Sequence, residues 1–413
     1  MDTREPTLDW QRFAEGFRVI EQNVEKVVQG KQPEIRLALA ALMAEGHILI
    51  EDVPGVGKTM LAKAIARSID CSFRRIQFTP DLLPTDVTGV NVFNQERGDF
   101  EFKPGAIFAN IVLGDEINRA SPKTQSALLE CMEERQITVD TETYQLGTPF
   151  MVIATQNPIE HEGTYPLPEA QLDRFMMRIG IGYPSSEVEA EILATHGVRS
   201  TLPDIGPVAD ALSVREMIEQ TRQVHVSPAV RRYIVDLVEG TRRHPDVYLG
   251  ASPRASIMLL RAARALAAAD ERDYVVPDDV KALVTPVLAH RVIVTADAVM
   301  GGRSSQAVLQ DLAAEVAVPL TGTSCPCPLA AAPWSSGPGS PCGWPPECSA
   351  RRPCTWSPWA SSCCRSPRRC SPAGAASACG SAVVCRTRGS SPGSACTSSS
   401  RSRTSPRRRP PSC

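Results

Sequence analysis

The sequence predicts an α/β core, a parallel sheet with helices on both faces and inserted hairpins, followed by an all-helical domain. Three observations point there. Short apolar runs at His47 to Ile50, Phe73 to Phe78, Ile111 to Leu113, Phe150 to Ala154 and Arg178 to Ile181 alternate with helical stretches, the rhythm of buried parallel strands joined by crossover helices. A glycine-bearing loop stands between the first of these strands and the helix that follows. Beyond Pro184 the strand-like runs stop and helical periodicity takes over.

From Glu34 to about Glu45 the residues Ile35, Leu39 and Leu42 share one helical face. His47 to Ile50 then runs into Asp52-Val-Pro-Gly-Val-Gly-Lys-Thr59, and Met60 to Ser68 is again helical. Two segments interrupt the rhythm, Val90 to Phe102 and Gln136 to Leu146. The second has β-branched alternation around Gln136-Ile-Thr-Val-Asp, and each reads as a hairpin inserted into the core. Further on, Ser227-Pro228 opens a helix with Val230, Tyr233, Ile234, Leu237 and Val238 on one stripe, and Pro277-Asp278-Asp279 opens another. Residues 1–184 are therefore expected to form the core and 185–320 the helical domain.

Residues 321–413 differ in kind. They hold twelve Arg and one acid, Glu347, so they carry a formal +11 and leave −13 on residues 1–320 of a chain whose net charge is −2. An acidic body argues against direct nucleic-acid binding, which favours a basic stripe. Twelve of the fourteen cysteines lie in the tail, and Cys71 and Cys131 alone in the body suit a reduced, cytoplasmic protein without a disulfide framework. The N-terminus lacks a signal-like apolar stretch, and no run approaches the ~18 to 20 apolar residues of a membrane span. The tail lacks Asp, Asn, Gln, His, Ile, Lys, Met, Phe and Tyr. Such a segment cannot bury a core, and Cys325-Pro-Cys327 and Cys363-Cys364 do not have zinc-site spacing. It reads as an out-of-frame translation of GC-rich DNA, with a disordered basic tail as the rival reading.

Chemistry concentrates at three strand ends. In the loop Pro54-Gly55-Val56-Gly57-Lys58-Thr59-Met60, successive backbone N–H groups and a helix N-terminus make a phosphate cradle. Lys58 is placed to reach the β- and γ-phosphates of ATP, and Thr59 to give its hydroxyl to Mg2+. The general pattern would put Gly at position 52, where this chain has Asp52. The strand Ile111-Val-Leu-Gly ends in Asp115-Glu116, which suits Mg2+ ligation by Asp115 and water activation by Glu116, against the plainer reading of two surface acids. The strand Phe150 to Ala154 leads into Thr155-Gln-Asn157-Pro158. The Asn157 amide could hold the attacking water, though Asn-Pro alone is most often a turn.

Several longer runs resemble the MoxR family of AAA+ ATPases: Phe78-Thr-Pro-Asp-Leu-Leu-Pro-Thr-Asp-Val-Thr-Gly89, Asp115-Glu-Ile-Asn-Arg-Ala120, Pro122-Lys-Thr-Gln-Ser-Ala-Leu-Leu129, Ala154-Thr-Gln-Asn-Pro158 and Glu162-Gly-Thr-Tyr-Pro-Leu-Pro-Glu-Ala-Gln-Leu-Asp-Arg-Phe175. The resemblance covers about residues 20–318 and makes Asp52 a family trait. It implies an AAA+ P-loop NTPase core with a helical lid, in which Asn157 matches sensor 1, Arg174 the arginine finger offered to a neighbouring subunit, and Arg254 sensor 2. Gly30 matches a segment that lines the adenine pocket. Taken singly, either arginine would pass for a surface ion pair. The family resemblance further implies a homo-hexameric ring that remodels a protein partner bearing a von Willebrand factor A-type domain. A magnesium or cobalt chelatase-type subunit and, in another class, a P-loop phosphotransferase are the alternatives. Cys71, Cys131 and the six His, among them His161 beside Glu162, show no ligand spacing and are expected to be structural.

Overall fold

The computed structural model describes residues 9–140, 142–158, 164–196 and 202–319. The expectations for the tail, and those for His161 and Glu162, lie outside the described residues.

Helix α1 (Trp10–Glu25) starts at Asp9, whose side chain accepts the Arg12 N–H, and α2 (Gln32–Met43) leads to strand β1 (Ile48–Glu51). Then come α3 (Lys58–Ser68), β2 (Phe73–Gln77), the short α4 (Pro84–Thr88) and the hairpin β3 (Gly89–Asn94) with β4 (Asp99–Pro104). Strand β5 (Ile111–Asp115) is followed by a 3-10 turn at Ile117–Arg119 and α5 (Pro122–Glu134). The second hairpin, β6 (Gln136–Val139) with β7 (Glu142–Gln145), precedes β8 (Met151–Gln156), α6 (Glu169–Leu172) and β9 (Met177–Ile179).

The five-stranded sheet has the order β2-β5-β8-β1-β9 and every pair is parallel. Its sequence logic is two-sided burial. Ile48, Ile50, Ile111, Leu113, Met151 and Ile153 join one hydrophobic cluster, while Leu49, Val112, Val152 and Ala154 join the other. Successive residues of a strand point to opposite faces, so continuous apolar runs are what a sheet covered on both sides requires. Both expected hairpins form, and all five expected strands are present, the last beginning at Met177 rather than Arg178.

The remaining elements are α7 (Ser186–His196), a 3-10 turn at Leu202–Asp204, α8 (Ala211–Gln223), α9 (Pro228–Arg243), β10 (Val247–Leu249), α10 (Pro253–Ala269), α11 (Pro277–Leu288), β11 (Ile293–Val294), α12 (Ala296–Met300) and α13 (Ser305–Glu315). Ser227 caps α9 by accepting the Val230 N–H, and the whole stripe from Val230 to Val238 is buried. Each aliphatic side chain of that stripe, once removed from water, is worth ~1.5 to 3 kcal/mol. The lid is helical with one correction to the all-helical expectation: β10 and β11 pair as a two-stranded antiparallel ribbon. Strands of two and three residues are too short to leave a period-2 pattern. One hydrophobic cluster runs from Phe13 of α1 through α2 and α10 to Leu309 of α13, so the N-terminal helices pack with lid and core alike. Among the described residues no helix is long and apolar enough to cross a membrane.

Candidate nucleotide site and a separate arginine cleft

Strand β1 sits between β8 and β9 rather than beside β2, so the chain reverses its direction of crossing there. Ligands of open α/β sheets bind outside the carboxyl ends of strands at such a point. The loop after β1 holds Gly55 at φ 88° and Gly57 at φ 93°, and Gly57 is the N-cap of α3. A Cβ on either would meet nothing within 4 Å, so glycine is required there by conformation, not by space. Asp52 has its own job. Its carboxylate accepts the N–H groups of Val53, at 2.7 Å, and of Gly182, tying the start of the loop to the segment after β9.

A cleft of about 210 Å3 is lined by Pro54, Gly55, Gly57, Lys58, Thr59, Met60, Asp115, Glu116, Thr155 and Asn157. Residues at or after the carboxyl ends of three strands, β1, β5 and β8, thus line one cleft. Lys58 Nζ donates to the carbonyls of Asp52 and, at 3.3 Å, Gln156, which holds the ammonium at the cleft wall. A hard divalent cation takes oxygen donors and suits a site completed by substrate phosphates. The Thr59 hydroxyl and the Asp115 carboxylate in one cleft fit that chemistry. Glu116 occupies the left-handed region at φ 58°, uncommon for a residue with a side chain.

Four further residues around the two acids are not legible in the chain alone. Thr155, buried on β8, donates to Asp115 Oδ1 at 2.6 Å and accepts the Glu116 N–H at 3.0 Å. Arg75 on β2 holds Asp115 Oδ2 at 2.6 Å, and Gln77 donates to Glu116 Oε2 at 3.0 Å, where Arg119 also stands 3.3 Å away. The available signal was the outward alternation of Arg75 and Gln77, but only the register pairing Gln77 with Asp115 shows whom they face.

Val56 packs against the main hydrophobic cluster, and Gly30, at φ 67°, lies so close to Val188 that a Cβ would come within 2.9 Å of it. Neither is among the residues that line the Lys58 cleft.

Arg174 and Arg254 are brought together, but not there. They line a second cleft of about 240 Å3 with Glu45, Glu133, Arg135 and Arg261. Glu133, in the last turn of α5, pairs with Arg174 at 3.3 Å and with Arg254. Glu45 is already bound by Arg135 and Arg222. Four arginines against two carboxylates leave this cleft positive on an otherwise acidic body. Arg254 stands in the first turn of α10, where the helix dipole disfavours a cation.

His47 and both body cysteines are structural. Burial lowers the His47 pKa to about 4, and the neutral ring bridges Met132 O and Val152 N. Cys71 and Cys131 are free thiols whose pKa burial pushes up to about 11 and about 12. Their thiolates are therefore scarce at neutral pH.

Comparison with known proteins agrees with this layout. The ATPase family associated with various cellular activities (AAA) matches residues 47–177, and the AAA lid domain matches residues 239–312. Chaperone MoxR1 of Mycobacterium tuberculosis is 42% identical over 76% of this chain and 87% of its own length. Protein MoxR of Paracoccus denitrificans is 32% identical over 68% and 89%. A solved structure from Cytophaga hutchinsonii superposes with a TM-score of 0.70 at 39% identity, covering 75% of this chain and 97% of that one.

Proposed function

We propose, from the premise that this chain belongs to the MoxR family of AAA+ ATPases, that it hydrolyses ATP in the Lys58 cleft and completes that site with arginines from a neighbouring copy. Its general activity is that of an AAA+ ATPase acting as a chaperone-like factor. The MoxR relatives do not favour the chelatase-type subunit or the phosphotransferase.

In this reading the β- and γ-phosphates lie on the loop N–H groups at the start of α3, and Lys58 leaves its carbonyl partners to meet them. Thr59 and Asp115 would hold Mg2+, which supplies charge neutralisation on the phosphates when bound. Glu116 accepts a proton from the attacking water, and Asn157 orients that water. Thr155 and Arg75 keep the Asp115 carboxylate turned toward the cleft.

One observation carries the assembly. Arg174 and Arg254 converge on Glu133 in a positive cleft of their own, whereas the Lys58 cleft is lined by neither. Guanidinium forks so placed suit a triphosphate offered from outside, and supplied arginines are worth ~10^3 to 10^5 in rate in other P-loop enzymes. We take the assembly to be a homo-hexameric ring in the cytoplasm, and its protein partner to carry a von Willebrand factor A-type domain.

The test is complementation between inactive variants. Arg174→Ala protomers keep a working pocket without a donor, and Lys58→Ala protomers keep the donor without a pocket. Mixed rings should regain activity that rises and then falls with the mixing ratio. No recovery in rings shown to be mixed would remove the trans arginine from this account.

A further inference from the structure

The segment that bears Arg174 is a core segment, yet it is held from the lid. Arg291, just beyond α11, has a side chain only 2% exposed. Its Nε donates to Asp173 Oδ1 at 2.7 Å, and its Nη atoms donate to the carbonyls of Asp173 at 3.1 Å, Met176 at 3.2 Å and Phe175. His290 adds a contact of 3.1 Å to Phe175 O. Every residue from Asp173 to Met176 except Arg174 is thereby fastened through backbone or side chain, and Arg174 alone is left to point outward at Glu133.

A second lid group grips the same carboxylate. Ser252 is the N-cap of α10, where a serine ordinarily accepts a backbone N–H of the first turn, a contact worth ~1 kcal/mol. Here it makes no such bond. Its hydroxyl donates instead to Asp173 Oδ2 at 2.9 Å. Asp173 thus joins the start of α10, which carries Arg254, to the chain position next to Arg174. A pair with one partner so buried is weak evidence of added stability; the best-attested use of such a pair is to fix one arrangement.

We propose that Asp173, clamped by Arg291 and Ser252, is a positioning residue that locks Arg174 to the lid, so that Arg174 and Arg254 reach a neighbour's phosphates as one rigid unit. The proposal rests on the trans-arginine reading above. A carboxylate shared by two lid donors keeps both guanidiniums at one spacing when the lid shifts. Misplacing a reacting group by about 1 Å can cost on the order of 100-fold in rate.

Arg291→Lys keeps the charge but loses the fork, and Asp173→Asn keeps the volume at a less buried position, so the second variant carries the test should the first fail to fold. Each full-length variant, checked for cooperative thermal unfolding, should lose about 10- to 100-fold in kcat with KM for ATP within about twofold. The deciding readout is mixing with Lys58→Ala. A defect that lies in the donated arginine is recovered by inactive protomers with an intact Asp173 joint, as for Arg174→Ala; a defect in the variant's own fold or pocket is not. Folded variants with wild-type kcat, or variants that Lys58→Ala cannot recover while it does recover Arg174→Ala, would overturn the joint. If Arg174→Ala is itself not recovered in mixed rings, the trans reading fails and the joint falls with it.

Discussion

The Thr155 hydroxyl donates to the Asp115 carboxylate at 2.6 Å across the β5–β8 pair. The same oxygen accepts the N–H of Glu116 at 3.0 Å, so one buried hydroxyl fixes both acidic residues. Thr155→Val keeps the shape and removes both bonds. A buried polar group left unpaired costs ~1 to 3 kcal/mol, and the loss of a group supporting a metal ligand typically costs ~10- to 100-fold in affinity or activity. ATPase measured against Mg2+ concentration should show that drop together with a higher Mg2+ requirement. A variant with unchanged Mg2+ dependence would separate Asp115 from the metal.

Arg254 at the start of α10 suffers an unfavourable helix dipole that Glu133 offsets. Arg254→Ala should therefore leave thermal stability within ~1 kcal/mol of the wild type while lowering ATPase at saturating ATP. Strong destabilisation with full specific activity in the folded fraction would assign this residue to the fold.

His47 sets a pH window. Its pKa in the folded chain is lowered to about 4 by burial, against an ordinary value near 6.5, so the unfolded chain binds the proton more tightly. The neutral ring costs nothing above pH ~6.5, and stability falls as pH drops from there toward ~4, by roughly 3 kcal/mol in all. Burial lowers the pKa of His290 as well, adding to the loss in the same direction. Urea midpoints taken between pH 7 and 4.5 should fall more steeply for the wild type than for His47→Gln. Equal slopes would mean His47 titrates normally.

A chain ended after Leu320 should keep ATPase activity and assembly. The AAA lid match ends at residue 312, and the tail composition offers little apolar surface to dock. Sedimentation and turnover of the shortened chain check this; failure to fold would show that the tail is integral and not out of frame.

The sheet, both hairpins and the Lys58 cleft were legible because each is written locally: an apolar run, a turn, then a motif at its carboxyl end. Asp115 and Glu116 could be named from the end of their own strand. What surrounds them could not, since Thr155, Arg75 and Gln77 reach those acids only through strand order β2-β5-β8, which no local pattern encodes. The Asp173–Arg291 pair spans 118 positions and was invisible for the same reason. The β10–β11 ribbon escaped because strands of three and two residues are too short to show an alternation. Gly30 was assigned by resemblance, and its packing on Val188 came from the fold alone.

Glu116 is proposed to drive hydrolysis in the cleft that Lys58 equips for phosphate. Recovering the nucleotide bound by Glu116→Gln after incubation with ATP and Mg2+ tests it most directly. An amide can hold the water but cannot take its proton, so the variant should retain ATP where the wild type yields ADP, and Lys58→Ala should retain neither. Recovery of ADP from Glu116→Gln at the wild-type rate would contradict the account.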